Sequence, residues 1–339
     1  MHRFSFTFCL VGWLLVACGG AQKPGPDPSQ PLQVIAMGSC NKEYLDQSFW
    51  PVIAEQQPDL WIWLGDNIYA DTEDMAVMAA KYQRQKENPH YQSFIHQVPV
   101  IGIWDDHDYG QNDGNRTYPK KHEAKEALLS FLDVSAQATV RNHPGVYQSH
   151  TFGTPPRQVK ILLLDTRSFQ DPLQRLPKGG PRNYAAQADG DLLGDAQWQW
   201  LADELQQSTA NINLIASSIQ VIAEDHRYEM WANFPQERVR LLNLIRDSGV
   251  NNPVIISGDR HLSEVSRVQW QGQNIIEVTA SGMTHSFSGN QEFNRHRWGQ
   301  LITDESFSTL TINWESNTLH ITQIDMAGNK QQQLTLSLQ

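Results

Sequence analysis

The stretch DLWIWLGDNIY, residues 59–69, sets an unbroken apolar run directly against a carboxylate. Leu60 to Leu64 holds no polar residue, is too short for a helix of ordinary length, and is rich in large side chains. Such a run is the signature of a strand covered on both faces. Gly65 ends it, Asp66 follows at once, and Tyr69 comes three residues later. The design recurs along the chain. LQVIAM runs into GSCN at 38–41, VPVIGIW into DDHD at 105–108, VKILLL into DTR at 165–167, NINLIA into SSIQ at 217–220, and NPVIIS into GDRH at 258–261. Between several of these runs lie segments of helical spacing, at 72–88, 120–132, 195–208 and 234–249. The last carries Pro235 in its first turn and Gly249 at its stop. Strands alternating with helices imply an α/β domain with a largely parallel sheet, and in such sheets the ligand site lies beyond the carboxyl ends of the strands. The polar clusters stand at those ends. Segments 307–314, 318–325 and 332–339 alternate apolar and polar residues and read as antiparallel strands closing the fold.

The clusters have a common chemistry. Asp66, three carboxylates around His107, and Asp259 with His261 would repel one another strongly if gathered at one end of a sheet. Burying them together is costly unless a cation neutralises them. Two metal ions sharing a bridging carboxylate use this many ligands and serve hydrolysis by lowering the pKa of a bound water. Cys40 fits the same scheme, because a thiolate is a soft, anionic ligand for a transition metal, and a Tyr69 phenolate suits ferric iron. Taken one at a time, each cluster also reads as a turn or a helix cap, and a lone cysteine as a buried small hydrophobe.

The N-terminus reads as an export signal. Residues 1–17, MHRFSFTFCLVGWLLVA, combine a short basic start, an apolar run and a small final residue. The junction LVAC followed by GG resembles a bacterial lipobox, in which Cys18 is lipidated and begins the mature chain; the alternative is a plain signal peptide cut near Ala17. Residues 18–31 are rich in Gly and Pro and read as a flexible tether, and residues 32–339 as one catalytic domain. An exported lipoprotein facing the periplasm or cell exterior is expected. Of three cysteines, Cys9 leaves with the signal and Cys18 carries lipid, so Cys40 has no intramolecular disulfide partner. A net charge of −11 argues against a generic grip on nucleic acid. No feature points to a protein partner.

The ordered motifs resemble those of metallophosphoesterases and purple acid phosphatases. GDNIY matches the second motif of that superfamily, DDHD stands where GNHD is expected, GDRH stands where GHxH is expected, and GSC replaces the first motif. This set of substitutions is similar to that of the PhoD-like alkaline phosphatases, and the resemblance runs from about residue 34 to 328. It implies a four-layer α/β/β/α sandwich with mixed sheets, iron(III) and calcium as cofactors, and hydrolysis of phosphate mono- or diesters by a hydroxide activated between two metals. Carried over by position, Cys40, Asp66, Tyr69 and His261 are iron ligands, with Asp66 bridging. Asp106 and Asp259 replace neutral ligands and favour a hard ion such as Ca²⁺ at the second site. His107 lies where the family's phosphate-contacting, proton-donating histidine lies. The histidine-position motif has no clear match, and SSIQ occupies its strand end without an assigned ligand. Asn67, Arg167, Arg260 and His285 are candidates for substrate contact, with turn formation or structural ion pairing as the alternative for the first three. Two other readings remain: a serine esterase, for which HSFSG is a partial echo of G-x-S-x-G, and an inactive envelope lipoprotein that keeps the fold for binding.

Overall fold

The computed structural model describes residues 26–339, so the leader, Cys18 and the start of the tether lie outside the described residues. Twelve strands run β1 (Val34–Gly38), β2 (Leu60–Leu64), β3 (Val100–Ile103), β4 (Gln148–Phe152), β5 (Val159–Leu163), β6 (Ile212–Ser217), β7 (Pro253–Ser257), β8 (Glu264–Trp270), β9 (Gln273–Thr279), β10 (Ser306–Asn313), β11 (Thr318–Asp325) and β12 (Lys330–Ser337). Seven α-helices accompany them among the described residues: α1 (Trp50–Glu55), α2 (Met75–Glu87), α3 (Pro89–Ile95), α4 (Asp106–Tyr109), α5 (Lys121–Phe131), α6 (Gly194–Gln206) and α7 (Pro235–Asp247). The strands form two six-stranded sheets, ordered β12-β11-β10-β1-β2-β3 and β4-β5-β6-β7-β9-β8.

The side chains of β2 show why two sheets stack between two helical layers. All five residues are buried. Leu60, Ile62 and Leu64 enter an apolar core built from both sheets, with Ile161, Leu214, Ile256 and Val278 from the facing one. Trp61 and Trp63 point the other way, into a cluster with Trp50, Met78, Phe94 and Leu128 from α1, α2, α3 and α5. On the far side, Leu162, Ile215 and Ile255 meet Trp198, Leu201, Leu241 and Ile245 of α6 and α7. The chain is thus an α/β/β/α sandwich, with period-2 side-chain alternation directing each strand into two different cores.

Each sheet is mixed rather than largely parallel. The runs β1-β2-β3 and β5-β6-β7-β9 pair in parallel, while β10, β11 and β12 extend the first sheet antiparallel from β1. Strands β4 and β8 pair antiparallel at the two edges of the second sheet. The parallel strands of both sheets deliver their carboxyl ends to one edge of the sandwich. Cys40, Asp66, Asp105, Arg167, Ser218 and Asp259 follow β1, β2, β3, β5, β6 and β7 there.

Candidate metal centre

Two Gly-Asp steps bring the strand ends close. A Cβ on Gly65 would stand 2.5 Å from Cβ of Asp105, and one on Gly258 would stand 2.6 Å from the Leu64 carbonyl and Ser39 Oγ. Glycine is required at both, because each backbone passes directly over its neighbour. The residues that follow are strained. Cys40 (φ 60°), Asp66 (50°), Asp71 (43°), Asp259 (66°) and His261 (51°) all occupy the left-handed region. Non-glycine residues there cost of order 1–3 kcal/mol each, and such strain concentrates at functional sites. Here it re-aims the chain sharply at the strand ends, so that side chains from four loops meet.

The donor atoms converge in two groups. Asp66 Oδ2 lies 3.5 Å from Cys40 Sγ and 3.2 Å from Tyr69 Oη, and Tyr69 Oη lies 3.1 Å from His261 Nε2. Cys40, Asp66 and His261 have ligand atoms within 4.8 Å of one another. On the other side, Asp66 groups with Asp106 and His107, and Asp106 groups with Asp105 and Asp259, each set within the same limit. Asp66 joins the first group to the second. Ser281 Oγ steadies the first, 3.1 Å from Cys40 Sγ and accepting from His261 N–H at 2.8 Å.

Several of the converging donors are held away from their charged forms. Burial pushes the Cys40 thiol up to about 11. Burial also raises Asp66, Tyr69 and Asp259 well above their ordinary values, the last with Asp105 and Asp106 adding to the shift. Burial lowers His261 to about 3 and His285 to about 4. The pocket therefore opposes each of these charges, and bound cations reverse that balance, since a coordinating thiol ionises outright. Asp105 Oδ2, His261 Nδ1 and His285 Nε2 are buried with no partner among the described residues. The donors fit metals: one set mixes thiol, phenol, imidazole and carboxylate, and the other is carboxylate-rich.

Asp105 and Asp71 are site residues that the motifs do not single out. Oδ1 of Asp105 accepts from Ser218 Oγ at 2.6 Å and from Arg167 Nε at 2.7 Å, while Oδ2 is left free beside Asp106 and Asp259. Ser218 is thus what the SSIQ strand end contributes. Asp71 Oδ2 lies 2.7 Å from Nδ1 of His107. Burial works against the His107 imidazolium, but Asp106, Asp66 and Asp71 outweigh it and push its pKa up to about 11.

Three candidates for substrate contact are otherwise engaged. Asn67 is fully buried, and its amide donates to the Ile103 carbonyl at 3.0 Å and to Asp108 Oδ2 at 2.6 Å. Arg167 is fully buried between Asp105 and Glu229. Arg260 is buried against Glu292, with Nε donating to Gln220 Oε1 at 3.1 Å. Arg167 and Arg260 thus form the structural ion pairs, while Asn67 is tied to interior acceptors of the β3 region. His285 does line the centre, with its ring 4.2 Å from His261 and 5.1 Å from Tyr69 between centroids. Ser286 of HSFSG is not paired with His285: Ser286 Oγ donates to the Thr303 carbonyl at 2.8 Å, and His285 Nδ1 meets Thr284 Oγ1 at 3.2 Å. A separate cavity of about 540 Å³ opens at the amino end of β7, but no aspartate, glutamate or histidine side chain lines it.

A family model described as PhoD-like phosphatase matches residues 35–321, a span containing every residue of the two donor groups. The chain belongs to this family. Alkaline phosphatase D of Bacillus subtilis (strain 168) is 25% identical over 287 residues, covering 72% of this chain and 48% of that protein. The chain therefore spans about half the length of this curated relative. Among solved structures, one titled as PhoD superposes with a TM-score of 0.69 at 19% identity, covering 93% of this chain and 70% of its own. A purple acid phosphatase from yellow lupin seeds gives 0.65 at 13% identity, covering 93% and 55%. A dimetal phosphatase from Danio rerio gives 0.57 at 12%, covering 91% and 100%. These superpositions establish the shared sandwich of the PhoD-like family and of more distant phosphatases.

Proposed function

We propose that the protein is a metal-dependent phosphoesterase of alkaline-phosphatase-D type, hydrolysing phosphate mono- or diesters. The observation that carries this reading is a pair of donor groups that share Asp66 at the carboxyl ends of both sheets. Cys40, Asp66, Tyr69 and His261 would hold one ion, and their thiol and phenol favour iron(III); Asp106 and Asp259, with Asp105 beside them and Asp66 reaching them through Asp106, would hold a hard ion such as calcium. Metals there would supply Lewis acidity toward the phosphoryl oxygens and acidify water at neutral pH.

The chain's own part centres on His107. Its Nδ1 is committed to Asp71, so Nε2 is the atom left to carry a proton to the leaving-group oxygen. The carboxylates around His107 favour its charged form, and Asp71 fixes the ring's rotation. Tyr69 lies against the same ring, with centroids 4.1 Å apart and planes tilted by 32°, which confines it further. Asp66 Oδ1 accepts from the His107 backbone N–H at 3.2 Å and ties this acid to the bridging carboxylate.

The leader and LVAC junction support anchoring of the enzyme by lipid at Cys18, facing the periplasm or cell exterior. Metal analysis of purified protein, coupled to a panel of phosphate mono- and diesters, tests the catalytic reading. Metal bound together with chelator-sensitive hydrolysis is expected. Full activity after complete metal removal, or metal-loaded protein inert across the panel, refutes it.

A further inference from the structure

Beside the metal centre stands an aromatic surface that none of the ligand assignments uses. Phe287 packs on His261 with centroids 4.8 Å apart, yet the residue is 38% exposed. Tyr228 lies nearly parallel to it, at 5.9 Å and 20°. Behind Tyr228, the Arg260 guanidinium sits 4.8 Å from the ring and is itself held by Glu292 and Gln220. The Phe287 N–H donates to the His261 carbonyl at 2.9 Å, and its carbonyl accepts from Asn290 N–H at 3.0 Å, so both ends of the residue are pinned. The backbone that carries Phe287 is therefore fixed before anything binds, which lowers the entropy cost of using its ring.

We propose that Phe287 and Tyr228 form a leaving-group subsite that selects phosphoesters of flat aromatic groups. The inference rests on the phosphoesterase reading above and adds a substrate class to it. A ring serving only to shield His261 from water would be covered; Phe287 instead leaves apolar surface in solvent next to a residue of the first donor group. An ester whose phosphoryl group reaches the centre would place its leaving group near that surface. A planar aromatic group can stack there in full contact, whereas a puckered or branched one meets the ring at few points. Base-on-aromatic stacking is sequence-tolerant for the same reason, since any flat π-system fits. Because Phe287 packs on His261, the preference is exerted at the reacting end of the substrate rather than at a remote site.

The test uses the metal-loaded protein and two non-hydrolysable probes of similar size, phenylphosphonate and cyclohexylphosphonate, with affinities measured by calorimetry. Wild type should bind the phenyl compound about tenfold more tightly, the effect of roughly one aromatic stack. Phe287→Ala should abolish this preference, Phe287→Trp should retain it, and metal content should be unchanged in both. Wild type that hydrolyses phosphoesters but binds the two probes equally overturns the subsite alone. The subsite also falls if Phe287→Ala weakens both probes by one factor. Wild type that neither hydrolyses phosphoesters nor binds either probe overturns the subsite and the phosphoesterase reading together.

Discussion

Replacing Arg167 with methionine removes a buried guanidinium while keeping most of its apolar volume. Arg167 is fully buried between Asp105 and Glu229, and no other cation pairs with either carboxylate among the described residues. Truncating one partner of a buried ion pair costs about 3–5 kcal/mol, chiefly because the remaining charge is stranded. At about 1.5 °C per kcal/mol for a chain of this length, this corresponds to a fall in Tm of roughly 5–8 °C. Glu229 supplies a pH signature. Burial raises it and Arg167 opposes that rise, leaving it at about 7 against an ordinary 4.5. A carboxyl raised in the folded state costs stability as pH climbs from its unfolded value to its folded one. Losing Arg167 moves the folded value higher still. The variant's deficit should therefore be small near pH 5.5, where Glu229 is protonated with or without the arginine, and should grow as pH rises through 7 to 9. Differential scanning calorimetry of chelator-treated wild type and Arg167→Met across that range measures it. A deficit that is flat with pH, or below about 1 kcal/mol at pH 8, refutes the assignment of Arg167 as the counter-charge.

Other substitutions separate the roles at the centre. Cys40→Ser should remain folded but lose the metal of the first donor group and most of the activity, because a hydroxyl poorly replaces an anionic sulfur; full metal occupancy by elemental analysis would return Cys40 to a packing role. His107→Ala should lower kcat by roughly 10²–10⁴-fold with metal content retained, and loss of metal in step with activity would make it a ligand instead. Asp71→Asn should show a smaller kcat defect that vanishes in the His107→Ala background, because Asp71 acts through that imidazole; an additive double-mutant cycle contradicts this. Cys18→Ser should move the protein to the soluble fraction with hydrolysis unchanged, and wild type partitioning into the aqueous phase of a detergent extraction would exclude lipid anchoring.

Much of this arrangement is legible in the sequence, and the limits have physical causes. The LWIWL run predicts a strand buried on both faces, and the sandwich gives those faces to two separate cores. Cys40, Asp66, Tyr69 and His261 are each named by local pattern, because each follows a strand that ends at the site. The pairing of β10 with β1 is not legible, since partners as distant along the chain as Val34 and Thr311 leave no mark on either segment alone. The short edge strand β4 and the hairpin β8-β9 are equally hard to read; β4 is only half covered, so it lacks the continuous apolar run that marks the central strands. For Arg167 and Arg260 the sequence leaves substrate contact and ion pairing both open, because it shows their charge but not the distant Glu229 and Glu292 that neutralise it.

The DDHD segment shows most clearly what a motif leaves unsaid. Its three carboxylates are chemically identical and lie within four residues, yet the one-turn helix α4 gives each a different fate. Asp105, at the end of β3, has one oxygen held by Arg167 and Ser218 and the other free at the centre. Asp106, one position on, turns toward Asp66 and is steadied by the Asp113 N–H at 2.7 Å. Asp108 turns inward and accepts from the backbone N–H groups of Asp105, Asp66 and Asn67 at 2.7, 3.2 and 3.1 Å. Burial raises Asp108 to about 8, and those backbone donors oppose the rise. Its task is to lock the loop after β2 onto the loop after β3, which fixes the spacing of Asp66 and Asp106. The rotation of about 100° per helical residue makes this division of labour possible. A shift of one residue in where α4 begins would put Asp105 or His107 in the place of Asp106, so the candidate metal centre depends on the cap of a four-residue helix as much as on the donors it presents.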